Sequence, residues 1–140
     1  MEKWLSAVKS ISSSFGEAAV FECGKKIPSN ADFPASGETM ETVIRSIDIA
    51  YHLNHRKDGR LMYDPDTDTM AEGIGHYGSI RLPNENKIVS TCDTPFPDSF
   101  DWGILTCVAQ KFEPHAKVAH DDTKPCRKKG AESCTYLITW

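Results

Sequence analysis

At 140 residues, 39% hydrophobic, 9% aromatic and 26% charged, the chain suits one globular domain and is too rich in large apolar side chains for global disorder. A net charge of −4 argues against a nucleic-acid surface, and the basic cluster Lys124, Arg127, Lys128 and Lys129, flanked by Asp121, Asp122 and Glu132, reads as a solvated loop. The N-terminus mixes charged and apolar residues without a continuous apolar run, so no signal peptide or membrane anchor is expected, and a cytoplasmic location with reduced thiols fits the odd count of five cysteines.

Trp4, Leu5, Val8, Ile11 and Phe15 recur at helical spacing, predicting an amphipathic helix with that stripe in the core, stopped by Ser12–Ser14 and Gly16. Ala18–Cys23 is a brief apolar run, with Cys23 read as a small buried hydrophobe, and Pro28–Gly37 has loop composition. Thr39–His55 carries the strongest helix signal. Met40, Val43, Ile44, Ile47, Ala50 and Tyr51 make one apolar face, Thr39 caps, and His55, Arg56 and Lys57 suit the C-terminal end. Gly59 allows the turn that follows.

From Arg60 to Thr94 the apolar period falls to two. Ser79–Leu82 and Lys87–Cys92, joined by Pro83-Asn84-Glu85-Asn86, are expected as an antiparallel hairpin. Thr94-Pro-Phe-Pro breaks the sheet, and Asp98 is expected to cap a helix through Phe112, with Asp101 in the capping-box position. Phe100, Ile104, Cys107 and Val108 share its buried face. Gly103 inside this helix costs about 1 kcal/mol relative to Ala, marking close backbone packing or room for a ligand. Ala116–His120 and Cys134–Trp140 are expected as closing strands, the second with Cys134, Tyr136, Ile138 and Trp140 on one face.

Cys126 and Cys134, separated by a basic loop and followed by that strand, suggest a clip. In a reducing compartment a clip made of cysteines is more often a metal site, and zinc asks for about four Cys, His or carboxylate ligands. Cys107, His120, Asp122 and Cys92 are the further donors in reach, beside the reading that the cysteines are simply buried thiols.

The order of hairpin, Gly-containing helix PDSFDWGILTCVAQKF, then C-x-x-x-G-x-x-x-C and an alternating strand resembles the 4-vinyl-reductase domain, of the same broad fold group as the TRAPP trafficking subunits. The resemblance covers the C-terminal half; the N-terminal half matches only in helical outline. It implies a small-molecule-binding module, often a sensor as in aromatic-responsive bacterial regulators, with a structural zinc held partly by cysteines at the positions of Cys126 and Cys134. Those regulators have an acidic ligand where Thr123 stands and a further cysteine where Asp98, Ser99 or Phe100 stands. Completing the site therefore falls to other donors, with Cys107, His120, Cys126 and Cys134 the expected set.

His52 and His55 lie three apart on the central helix and His76 sits in the Gly-flanked Glu72-Gly-Ile-Gly-His-Tyr; with His115 or His120 they offer imidazoles for a transition metal or haem, beside the reading that they complete a helix end. Asp64-Pro-Asp66-Thr-Asp68 mimics half a calcium loop, but Thr69 and Gly75 stand where Gly and Glu are required, so it reads as a turn. No nucleophile elbow, P-loop or dinucleotide fingerprint is present.

These readings combine into an α+β fold, an antiparallel sheet with helices packed on it in the manner of the 4-vinyl-reductase and TRAPP domains, as a single domain over residues 1–140. The expected function is a sensor that encloses an apolar or haem-like ligand between the central helix and the sheet. Tyr51, His55, His76, Tyr77, Phe100 and Trp102 are expected to line the pocket. Zinc is the expected cofactor and haem the alternative; output passes to a signalling partner or through a homodimer, without nucleic acid or membrane. Two other classes stay open: a metal-dependent enzyme with His52, His55, His76 or His120 as ligands and Glu72 as base, and an interaction subunit with an exposed apolar patch.

Overall fold

The computed structural model describes residues 1–34 and 37–140; Ala35 and Ser36, inside the expected loop Pro28–Gly37, lie outside the described residues. Among the described residues four α-helices carry the chain: α1 (Glu2–Phe15), α2 (Glu17–Lys26), α3 (Met40–Leu53) and α4 (Asp98–Phe112). Two short ladders, β1 (Arg56–Lys57) with β2 (Arg60–Leu61) and β3 (Tyr63–Asp64) with β4 (Thr69–Met70), precede the main sheet. That sheet joins β5 (Tyr77–Arg81), β6 (Lys87–Cys92), β7 (Lys117–His120) and β8 (Cys134–Thr139) in the order β5-β6-β8-β7, antiparallel throughout. Among the described residues no helix is long and apolar enough to cross a membrane.

The period-two expectation holds where the sheet is half-buried. Ile88, Ser90 and Cys92 of β6 stand opposite Ile138, Tyr136 and Cys134 of β8, and all six are buried, so one face of the central strand pair supplies the floor of the core. The Asp64–Asp68 segment is the turn between β3 and β4: Asp64 accepts from the Asp66 N–H and the Thr67 hydroxyl, each at 2.9 Å.

The N-terminal helix departs from its pattern. Only Val8 of α1 is fully buried, with Leu5 and Ile11 partly buried against the core, while Trp4 is 60% and Phe15 76% exposed, because α1 leans mainly on α2. Helix α2, visible in the sequence only as an apolar run, follows a single hinge residue, Gly16 at φ 81°. It is held by α4, where Gly24 and Gly103 let the two backbones touch. A Cβ at Gly24 would run into the Phe100 carbonyl oxygen, and one at Gly103 into that of Phe21. Close packing, rather than room for a ligand, explains Gly103.

Helix α3 starts as expected: Thr39 and Thr42 form a reciprocal capping box, Thr42 N–H to Thr39 Oγ1 at 3.2 Å and Thr39 N–H to Thr42 Oγ1 at 3.1 Å. Helix α4 does not. Pro97 takes the N-cap position without a side-chain bond, and Asp101 turns into the interior. Its carboxylate accepts from the Tyr77 hydroxyl at 2.6 Å, from the Thr94 hydroxyl at 2.9 and 3.1 Å, and from Arg127 Nη2 at 2.5 Å. Burial pushes the Asp101 carboxyl above its ordinary value and the Arg127 charge opposes this; with these donors aimed at it, the acceptor-only ionised form fits the geometry. Arg127, expected in a solvated loop, is thus mostly buried, and it also donates to the Thr94 carbonyl. Lys128 bridges Glu17 at 2.5 Å and Asp98 at 3.1 Å.

Asp48 fastens α3 to the start of β5. It accepts from the Tyr77 N–H at 2.9 Å and from His76 Nδ1 at 3.0 Å, with His52 Nδ1 at 3.4 Å, and His76 Nε2 reaches Glu72 at 3.2 Å. Burial lowers the His76 pKa, but hydrogen bonds and charge from Asp48 and Glu72 outweigh it, so the net shift is upward from 6.5.

Gly103→Ala is expected to destabilise the fold by about 2 kcal/mol net, a backbone clash outweighing a helix-propensity gain of about 1, read as a Tm several degrees lower. Because the His76 pKa is raised on folding, its stabilisation is complete below pH 6.5 and lost as pH rises through the folded value. The Tm deficit of His76→Ala is therefore larger near pH 5.5 than near pH 8.5.

Candidate ligand cavity

A cavity of about 300 Å³ lies between α1, the turn Ile27–Ser29, α3, β5 and α4. Its wall is apolar and aromatic: Trp4, Ile27, Phe33, Ile47, Ala50, Tyr51, Tyr77, Phe96, Phe100 and Ile104. Asn30, Asn54 and His55 are its other polar side chains, and among the described residues no Lys, Arg, Asp or Glu lines it. The aromatic side is pre-packed. Tyr51 meets Tyr77 edge-on at 5.3 Å between ring centres, and Phe96 stacks on Phe100 at 4.8 Å.

Both phenols are already committed. Tyr51 donates to the Ile74 carbonyl at 2.7 Å and Tyr77 to Asp101, and burial, with Asp101 nearby, pushes both pKa values up, so neither ionises near neutrality. His55 differs. Its Nδ1 lies 2.6 Å from the Tyr51 carbonyl, an acceptor only, which places the ring hydrogen on Nδ1 and leaves Nε2 as an acceptor with no hydrogen bond among the described residues. Burial lowers its pKa and favours this neutral form.

Of the six expected pocket residues, Tyr51, His55, Tyr77 and Phe100 line this cavity and His76 and Trp102 do not. His76 is one position before Tyr77 on the extended chain and is spent on Asp48 and Glu72. Trp102 is two positions from Phe100 on a helix, about 200° around the axis, so it faces the other side of α4. There its Nε1–H donates to the Val118 carbonyl at 2.8 Å and its ring packs on Phe21.

That other side of α4 holds a cleft of about 390 Å³ lined by Asp98, Trp102, His120, Asp122, Cys126 and lysines 124, 128 and 129. Donor atoms of Asp98, His120, Cys126 and Cys134 converge within 4.8 Å of one another. The cysteine expectation is half met. Cys126 and Cys134 come together, Cα atoms 4.3 Å apart, but as a disulfide, whereas Cys23, Cys92 and Cys107 are free thiols, Cys92 standing opposite Cys134 in the ladder. Zinc is bound by thiolates, and disulfide sulfurs offer none, so the expected zinc set of Cys107, His120, Cys126 and Cys134 finds no support.

The histidines divide. His52 and His76 stack at 4.7 Å beside Asp48, His55 lies in the cavity wall and His120 lies across the molecule on β7. His52 is 0% exposed, with Nδ1 at 2.9 Å from the Asp48 carbonyl and Nε2 unpartnered among the described residues. The four imidazoles proposed for a catalytic ion are therefore not one set. Sequence reasoning missed Asp48, Asp101, Thr94 and Arg127; the only signal for Asp48 was His52 four residues later on the same helix face.

No protein-family profile matches the chain, and no curated protein matches it. Solved structures do. A crystal structure of an H-NOX protein from S. oneidensis in the Fe(II)NO ligation state matches with a TM-score of 0.60 at 17% identity, over 96% of this chain and 72% of that one. An NMR structure of an H-NOX domain from Shewanella oneidensis in the Fe(II)CO ligation state gives 0.58 at 17% identity, over 97% and 72%. The assignment to the 4-vinyl-reductase and TRAPP group is corrected by these matches: C-x-x-x-G-x-x-x-C and an alternating strand describe a local hairpin, which does not determine the arrangement of the whole chain. At this identity the likeness concerns architecture, and the α+β fold of this chain is similar to that of the H-NOX domains.

Proposed function

We propose that the chain is a small-molecule sensor module that encloses a small, largely apolar ligand in the 300 Å³ cavity, with His55 as the polar anchor. The observation that carries this is the combination of an apolar aromatic wall with one neutral imidazole whose Nε2 is free to accept. A ligand with one N–H or O–H donor on an apolar body matches that chemistry. Its arrival would be felt at Tyr77, which is bonded through Asp101 to Arg127 in the surface loop between the two cysteines, where a partner protein or a second copy of the chain can read it.

Haem, the alternative cofactor, is matched less well by this cavity than a smaller ligand is. His55 has the donor chemistry an iron would need, but about 300 Å³ is at the lower end of the range that encloses drug-sized ligands, and among the described residues the wall holds no Lys or Arg to meet two propionates, Arg56 lying in the adjoining cleft that shares His55. A pure interaction subunit predicts no such cavity.

Titration with benzene, indole and 2-naphthol, followed by amide NMR shifts, is expected to show saturable changes at Tyr51, His55, Tyr77 and Phe100. His55→Ala should weaken indole and naphthol about fivefold, one net hydrogen bond of about 1 kcal/mol, and leave benzene unchanged. Ile47→Trp should fill the space and abolish all three. Absence of saturable binding by every probe sinks the reading, and a stoichiometric Soret band on adding ferric haem, lost in His55→Ala, replaces it with haem iron.

A further inference from the structure

We propose that Cys126 and Cys134 form a reversible thiol–disulfide exchange site facing the cleft beside α4, in which Cys126 reacts with the external partner, His120 is its base and Cys134 closes the bridge. The proposal is independent of what fills the cavity.

Three groups stand in the order carboxylate, imidazole, sulfur. His120 Nε2 is 3.3 Å from Cys126 Sγ, and His120 Nδ1 is 2.8 Å from Asp122 Oδ1. The carboxylate accepts, so the ring hydrogen sits on Nδ1 and the Nε2 lone pair faces the sulfur. A nucleophile, its base and the group that orients the base are thus assembled. The two sulfurs are not equivalent. Both cysteines are buried, Cys126 at 3% and Cys134 at 0% exposure, but Cys126 borders the cleft and Cys134 lies on the core face of β8, so a reagent entering the cleft reaches Cys126 first. The Arg127 backbone N–H donates to Cys134 Sγ at 3.2 Å, where it stabilises a thiolate leaving from that position. Lysines 124, 128 and 129 on the cleft wall draw in anionic thiols, with Asp98 paired to Lys128. The bridge joins residues only eight apart, so it removes less loop entropy from the unfolded chain than a bridge closing a longer loop.

With glutathione as the partner, oxidation begins when the Cys126 thiol passes its proton to His120. The thiolate attacks one sulfur of glutathione disulfide, whose other half leaves as a thiolate and is protonated. The Cys134 thiolate then attacks the Cys126 sulfur of the mixed disulfide and expels the second glutathione. Two cysteine thiols are oxidised to one disulfide while one glutathione disulfide is reduced to two thiols. Reduction retraces these steps, with glutathione thiolate entering at Cys126 and Cys134 leaving.

The test is equilibration of the full chain in glutathione buffers containing a chelator, followed by acid quench, alkylation and peptide mass spectrometry. Cys126 and Cys134 are expected to pass together from bridged to two free thiols as the reduced form is increased, and Cys134→Ser is expected to trap one glutathione on Cys126. Adding His120→Ala should slow that trapping about tenfold or more at neutral pH, with Asp122→Asn, a change at an exposed residue, slowing it less while circular dichroism stays unchanged. A bridge that survives excess glutathione in the folded chain overturns the proposal. So does trapping at an unchanged rate without His120, glutathione found on Cys23, Cys92 or Cys107 instead, or a reduced pair that holds stoichiometric zinc and resists glutathione disulfide.

Discussion

The buried carboxylate of Asp101 is the constraint around which the rest of the chain is arranged. A charge removed from water is tolerated only when its acceptor sites are filled, and here the donors come from three separate segments: Tyr77 at the start of β5, Thr94 in the turn after β6, and Arg127 in the loop before β8. Each must be in place for α4 to present Asp101 inward. The orientation of α4 follows, and the Gly24–Gly103 contact then decides how closely α2 can lie on it.

That orientation separates two environments. One side of α4 presents Phe100 and Ile104 to an apolar cavity, while the other presents Asp98 and Trp102 to a charged cleft containing the two bridged sulfurs. Apolar burial and charge pairing thus share one helix without interfering, because residues two apart on a helix point to opposite sides. Tyr77 and Arg127, bonded to the same carboxylate, stand at the border between the two regions.

The likeness to the H-NOX structures concerns this architecture. Architecture does not specify chemistry, and among the described residues the cavity wall offers aromatic surface and one imidazole, with Arg56 only in the adjoining cleft. The cysteine pair makes the same point from the other direction. A local hairpin signature led to a metal-site expectation, whereas the sulfurs meet each other as a disulfide.

Elements whose burial is local were legible in the sequence. The α3 face from Met40 to Tyr51, the β6 and β8 alternation and the Thr39 cap depend only on periodicity and neighbours along the chain. Tyr51, His55, Tyr77 and Phe100, expected in a pocket wall, border the cavity. What could not be read depended on contacts between distant segments. Trp4 and Phe15 had the pattern of a core stripe, yet both stay largely exposed, Trp4 at the edge of the cavity. Asp101 had the spacing of a capping residue, yet Arg127, twenty-six positions later, offers a stronger partner than an exposed N–H. The order of residues was enough to mark which faces are apolar and which cysteines can meet. Which charges are buried was settled by the folded arrangement alone, since that depends on the arrival of a counter-charge from elsewhere in the chain, and local periodicity carries no record of it.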